Sequence, residues 1–311
     1  MKQIIRDKLL AFFQMMKCVV VYRNVKIPVL KQQEESIIVQ TSDVAQQREQ
    51  IPPVVWLYWH DPELPFFVRK IIEHNKTVLP EYEFRLLDRL TVENYLPELT
   101  LPDEVGITHR TDLIRLQLLY HYGGVWMDAT VILNQDFGWI EELSKQRCYD
   151  LIAYYRERST VNYAHPVVES WFLASPSGTE FMKAWAEEFG QISVLGGQYY
   201  DQLIARPDYD ILRQKIDRPS YLLVYLAEQI ASRAVGLNGY FKKCEDSALA
   251  IQEHFGWDNY AINYVFTQLE NKTLFLPIIK LTAGDRMLVD FMYKWGLLHK
   301  KSVLGKIVYG V

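Results

Sequence analysis

Continuous apolar runs alternate with stretches of helical spacing over residues 54–133. VVWLYW at 54–59 is β-branched and aromatic throughout, the composition of a buried strand. A helix is expected over 65–78, with Pro65 near its start and Phe67, Val68, Ile71 and Ile72 on one side. EYEFRLLD at 81–88 reads as a second strand, which completes a β-α-β unit. Two parallel strands need such a crossover. The next helix starts at a cap from Thr108 or Thr111 and runs to about Tyr122, with Leu113, Leu116, Leu119 and Tyr120 as its apolar face. Gly123–Gly124 stops it, and VWMDATVIL at 125–133 is expected as a third strand. The alternation predicts an α/β fold with a mainly parallel sheet flanked by helices.

Beyond residue 150 the pattern is less regular. LIAYY at 151–155 and ESWFLAS at 169–175 read as short strands, and 178–192 and 221–235 as helices, the second ended by Gly236. Residues 1–31 form a basic, apolar helical segment, with Lys2, Arg6, Lys8, Lys17, Arg23, Lys26 and Lys31 against Asp7 alone. Such a segment suits either an anionic membrane surface or packing on the main domain. Residues 32–50 are polar and read as a linker. The expected organisation is therefore a helical segment with linker at 1–50 and an α/β domain at 51–311.

Composition narrows the classes. The net charge of −4 gives no global sign of nucleic-acid binding. Cys18, Cys148 and Cys244 lack any CxxC spacing, so neither a zinc knuckle nor a disulfide framework is indicated, and a reducing cytosol fits them. No run of about 18 apolar residues is present, so a spanning helix is not expected. Aromatic residues reach 14%, which suits a sugar or nucleotide site as well as a large aromatic core.

The chemistry concentrates at 108–133, THRTDLIRLQLLYHYGGVWMDATVIL. Asp112 and Arg115, three apart on a helix, share one face. That pair can hold ribose and sugar hydroxyls while the arginine meets phosphate, and it can equally be a first-turn salt bridge. Asp128 interrupts an apolar strand, where an unpaired carboxylate would be costly, so it is expected at the strand's C-terminal end facing a cleft. Thr130, two residues on, would point the same way. A carboxylate and a second oxygen there can hold a hard divalent ion on a diphosphate. An Asp that merely caps a turn fits the same pattern.

The pattern DxxRxxxLYxYGGVWMDAT resembles the core of the DxD glycosyltransferases of GT-A fold, related to the yeast initiating mannosyltransferases and the clostridial glucosylating toxins. The W-M-D-A-T ending resembles the capsular polysaccharide synthesis family in particular. IPPVVWLYW at 51–59 and ESWFLASPSGTEFMKAWAEEF at 169–189 add to the likeness. The resemblance implies a GT-A-like, Rossmann-type sheet carrying the basic N-terminal helical extension. It implies a nucleotide-sugar donor, with Trp56 and Tyr58 near the base, Asp112 and Arg115 on the sugar and ribose side, and Asp128 as first acid of the DxD motif. It also implies retention of anomeric configuration. The second acid is replaced by Thr130, a weaker and uncharged ligand. A Mn²⁺ or Mg²⁺ ion would then bind less firmly on Asp128 and Thr130, or a basic side chain would take its place, for which Lys280 in PIIKLTAG is the candidate. Glu169 and Glu253 are the candidate catalytic acids.

These features lead to an expected cytoplasmic transferase, peripheral on the inner face of the plasma membrane through residues 1–31. Its acceptor would be a growing capsular or other surface glycan, or a lipid-linked oligosaccharide. A sugar-phosphate transferase and a degenerate, non-catalytic GT-A domain that binds glycan stand as alternatives.

Overall fold

The computed structural model describes every residue except 1, 32, 43–47, 147, 271–275 and 311, and the backbone but not the side chains of residues 2–8. Nine strands are found among the described residues: β1 (Ser36–Gln40), β2 (Val54–Tyr58), β3 (Glu83–Leu87), β4 (Gly124–Met127), β5 (Val131–Leu133), β6 (Leu151–Tyr155), β7 (Val168–Ser175), β8 (Asn238–Lys243) and β9 (Ile278–Lys280). Seven of them make one sheet in the order β1-β8-β6-β7-β4-β2-β3, and β5 with β9 makes a separate ribbon. The pairs β2/β3, β2/β4 and β6/β8 are parallel, whereas β7 runs against both of its neighbours and β1 against β8. The C-terminal ends of β2, β4, β6 and β8 therefore share one edge, where the N-terminal end of β7 joins them. The fold is mixed α/β, a central sheet flanked by helices.

One side of the sheet buries Trp56, Trp126 and Leu173 against the helices Ile107–Tyr122, Glu180–Gly190 and Leu223–Val235. The other side buries Val55, Val125 and Phe172 against the helices Phe66–Val78 and Gly138–Lys145. A further cluster joins Met15 and Cys18 of the helix Lys2–Val21 to the helices Asn259–Gln268, Val289–Lys294 and Val303–Tyr309. The N-terminal helix is thus packed on the body of the protein. Within the stretch expected as linker, Ser36–Gln40 forms the edge strand β1 on β8. Only Val39 of its Ile37–Ile38–Val39 run is buried, as suits an edge strand between polar flanks.

The double glycine is required by packing. Gly123 (φ 64°) and Gly124 (φ 100°) both lie in the left-handed region, and a Cβ on Gly124 would sit 2.7 Å from the Val54 carbonyl oxygen. The Trp56 indole donates to the Gly123 carbonyl at 2.8 Å, which ties this reversal to β2. Neither threonine caps the preceding helix. Gly106 holds the N-cap position, and the Thr111 hydroxyl donates to the Ile107 carbonyl at 2.8 Å.

The expected strand 125–133 is interrupted. Residues 128–130 form a turn closed by the Val131 amide on the Asp128 carbonyl at 2.9 Å, after which β5 leaves the sheet to pair with β9. Apolar residues continue through this turn because both flanks are buried in different layers.

Glu228, on the helix Leu223–Val235, is fully buried, and burial pushes its carboxyl up to about 8. With the folded value above the unfolded one, the neutral acid's contribution is complete below about pH 4.5 and lost as pH rises through about 8. Glu228→Gln keeps a neutral side chain at every pH. Its melting temperature should fall less than that of wild type between pH about 5.5 and about 8.5, and should exceed it at the upper value.

Candidate functional site

The C-terminal end of β4 delivers Asp128 to the sheet edge, and one helix and one strand meet it there. Arg115, buried on the helix Ile107–Tyr122, is the hub. Its Nη1 lies 3.1 Å from Asp112 Oδ1 and donates to the Ser170 hydroxyl on β7, while its Nη2 donates to Asp128 Oδ1 at 3.2 Å. The guanidinium carbon lies 5.0 Å from the Trp126 ring centroid, so the charge rests on an aromatic face. Asp112 and Arg115 are thus more than an isolated first-turn pair, since the same guanidinium reaches two strands.

The ribbon β5/β9 closes the site from the other direction. Its register sets Val131 opposite Lys280, whose ammonium bonds directly to Asp128 Oδ2. Trp126 Nε1 donates to Asp128 Oδ1 at 3.2 Å. A quarter of the Asp128 side chain remains exposed. Burial opposes its ionisation, but Lys280 and then Arg115 outweigh that and hold the carboxyl below the usual carboxylate range. Two buried nitrogens here lack a hydrogen-bond partner among the described residues: Arg115 Nε and His109 Nδ1, the latter 3.7 Å from Asp112. Unpaired buried polar atoms are uncommon and call for an explanation.

Not every expected residue comes to this place as expected. Thr130 is buried, and its hydroxyl donates to the Leu281 carbonyl at 2.9 Å. Because it lies in the turn and not on a continued strand, the same-face argument for Asp128 and Thr130 does not hold. Both Asp128 carboxylate oxygens are already engaged, and among the described residues no three His, Cys, Asp or Glu side chains are grouped to hold a metal ion. The donor set as it stands does not fit Mn²⁺ or Mg²⁺ on Asp128 and Thr130. Trp56 is fully buried and edge-packed on Tyr95, with its N–H used by Gly123, so it offers no face on which a base can stack. Tyr58, at the end of β2, is nearly buried and its hydroxyl is 3.0 Å from His60 Nδ1. The register Trp56↔Trp126 carried on two residues sets Tyr58 level with Asp128.

Glu169 and Glu253 come together through Arg156 at the end of β6. Arg156 Nη1 donates to Glu169 Oε1 at 3.3 Å and Nη2 to Glu253 Oε1 at 2.8 Å. Glu169 is buried and also accepts from the Tyr225 hydroxyl at 2.5 Å. Burial, then the Glu169 charge, pushes the Tyr225 phenol well up, so it remains a donor. Trp126 and Ser170 lie in segments that carry the resemblance but drew no role there, and Arg156 and Tyr225 lie in no motif.

The family model described as "Capsular polysaccharide synthesis protein" matches residues 6–192. The chain belongs to that family. Among curated relatives, O-glycosyltransferase braB of Annulohypoxylon truncatum is 30% identical over 159 residues, 44% of this chain and 37% of that protein. Glycosyltransferase afumC of Aspergillus fumigatus is 26% identical over 204 residues, 57% of this chain and 51% of that protein. The chain spans about a third to a half of the length of the curated relatives it matches. Among solved structures, PaToxG Glycosyltransferase aligns over 61% of this chain and 80% of its own at 12% identity and a TM-score of 0.34. The ligand-free glycosyltransferase domain from the YGT toxin aligns over 83% and 82% at 10% identity and a TM-score of 0.30. Likeness at that level says nothing about individual residues.

Removing the Arg115 side chain would leave the buried Asp112 carboxylate without its cation. Arg115→Ala is expected to lower stability by about 3–5 kcal/mol, the cost of breaking a buried pair. Urea unfolding of the variant against wild type measures this.

Proposed function

We propose that this member of the capsular polysaccharide synthesis family is a glycosyltransferase. It moves a sugar from a nucleotide-sugar donor to a growing capsular or other surface glycan, or to a lipid-linked oligosaccharide, with retention at the anomeric carbon. The observation that carries the reading is the convergence of Asp112, Arg115, Asp128 and Lys280 at the shared end of the parallel strands. Family membership and the names of the curated relatives support it.

In glycosyl transfer the leaving nucleoside diphosphate gains negative charge, and fixed cations at that point lower the barrier. Lys280 and Arg115 would supply them. Asp128 would hold the Lys280 ammonium in place and release part of it to phosphate on donor binding. Asp112 would orient Arg115. Tyr58, level with Asp128, would line the nucleoside side.

A thermal-shift screen with UDP-, GDP-, CMP- and dTDP-linked sugars, with and without Mn²⁺, identifies the donor, because a bound ligand raises the melting temperature. With that donor, Asp128→Asn should lower transfer by about a hundredfold or more while keeping cooperative unfolding. Full activity in this variant would overturn the site. Release of nucleoside monophosphate would mean sugar-phosphate transfer, and donor binding without turnover a non-catalytic domain.

The N-terminal helix supports a place at an anionic membrane surface. Met15 and Cys18 face the core, whereas Leu9, Leu10, Phe13, Val20 and Val21 are each more than half exposed, and the exposed Trp295 packs 5.4 Å from Phe12. An apolar helix face of this kind, with Lys17, Arg23 and Lys26 beside it in sequence, suits an interfacial contact. The side chains of Lys2, Arg6, Asp7 and Lys8 lie outside the described residues. No helix among the described residues is long and apolar enough to cross a membrane. Leu10→Ser with Phe13→Ser should reduce co-sedimentation with phosphatidylserine-containing vesicles about tenfold or more. Unchanged co-sedimentation would remove the membrane contact from the reading.

A further inference from the structure

A second polar constellation lies on the same sheet edge, two strands away from Asp128. It begins at Trp257, which adopts a left-handed backbone at φ 63°. For a bulky residue this conformation is strained and persists only when its surroundings impose it. Two contacts hold the indole there. Its N–H donates to Glu253 Oε1 at 3.0 Å, and the Arg156 guanidinium lies over its ring at 5.0 Å. Arg158 completes the group with Nη1 3.1 Å from Glu253 Oε2. Nearly half of the Arg158 side chain is exposed, and its Nε and Nη2 have no protein partner among the described residues. Glu253 keeps 22% of its side-chain surface exposed, and Trp257 is only partly buried.

An aromatic ring bordered by a carboxylate and guanidinium donors is the chemistry that recognises a sugar. The ring packs on C–H faces while charged groups bond the hydroxyls. Charge decides which sugar. Arg156 is offset by Glu169 and Glu253, and Arg158 by Glu253, so no excess cation remains to select an acidic sugar. Position decides the role. Arg156 follows β6, Asp128 follows β4, and only β7 lies between them. At about 4.8 Å per strand their backbones are separated across the sheet by roughly 10 Å, a spacing that leaves room for one sugar ring on each side of the bond to be made.

We propose that Trp257, Arg156, Arg158 and Glu253 form the acceptor subsite of this protein and take an uncharged pyranose ring. The proposal rests on the donor reading of the Asp128 cluster. Donor and acceptor subsites are joined within the fold: Gln252, next to Glu253, donates to the Lys280 carbonyl at 2.7 Å.

Saturation-transfer NMR with methyl α-glucopyranoside, galactopyranoside and mannopyranoside tests the subsite on the whole chain. Calorimetry with UDP, GDP, CDP and dTDP tests the donor site in parallel. Wild type should show transfer to at least one methyl glycoside. Trp257→Asn keeps a residue that tolerates the left-handed backbone and should abolish that signal. Arg158→Ala, at an exposed position, should reduce it about fivefold. Nucleotide affinity should stay within about twofold in both variants, as for independent sites. A methyl glycoside signal that is absent in wild type, or unchanged in Arg158→Ala, overturns the subsite. Absence of nucleotide binding with the glycoside signal intact would instead sink the donor reading and leave the sugar subsite standing.

Discussion

A single buried guanidinium fixes the geometry of the sheet edge. Arg115 leaves its helix to meet a carboxylate on that helix, a hydroxyl on β7 and a carboxylate after β4. A buried charge is tolerated only when paired and hydrogen-bonded. Each of those three partners is therefore also a constraint on where the helix can sit. Trp126 below the guanidinium and Trp56 beyond it pack the remaining space, and Trp56 in turn grips the Gly123 carbonyl. The double glycine, the two tryptophans and the arginine act as one unit that aims Asp128 outward.

The same edge carries a row of alternating charges. From Lys280 it passes through Asp128, Arg115 and Asp112, and a second run goes from Glu169 through Arg156 to Glu253 and Arg158. Within each run every cation touches a carboxylate. Such a surface is preorganised but close to neutral, and it presents hydrogen-bond donors without a strong field. Glu169 and Ser170 are adjacent on β7 and belong to different runs, so the first residues of that strand set the spacing between them.

Much of this was legible in the chain because local chemistry announced it. The spacing of Asp112 and Arg115, the glycine pair and the acid in an apolar run all lie within 20 residues or so of one another. What stayed hidden depends on distance or on turns without polar residues. Lys280 was reached only through the family resemblance, as a basic side chain in the metal's place, because its bond to Asp128 spans 152 positions; Arg156, which meets Glu253 across 97, went unnoticed. The break at 128–130 left no mark because Ala129 and Val131 are as buried as the strand before them. Trp56 looked like a ligand-facing aromatic because a strand carrying Trp and Tyr reads the same whether its neighbours are solvent or core. The edge strand Ser36–Gln40 carries a β-branched run at Ile37–Val39, but it is short and set between polar flanks, so the whole stretch read as a linker.

The ribbon β5/β9 has a consequence for synthesis. Asp128 and Thr130 are made early, but the ammonium that balances the one and the carbonyl that accepts from the other belong to Lys280 and Leu281. A nascent chain that has reached only the end of β8 holds a carboxylate with half its counter-charge and a hydroxyl with nowhere to donate. The edge becomes electrically complete only once Lys280, 152 positions after Asp128, has followed, which ties the assembly of the pocket to the arrival of β9.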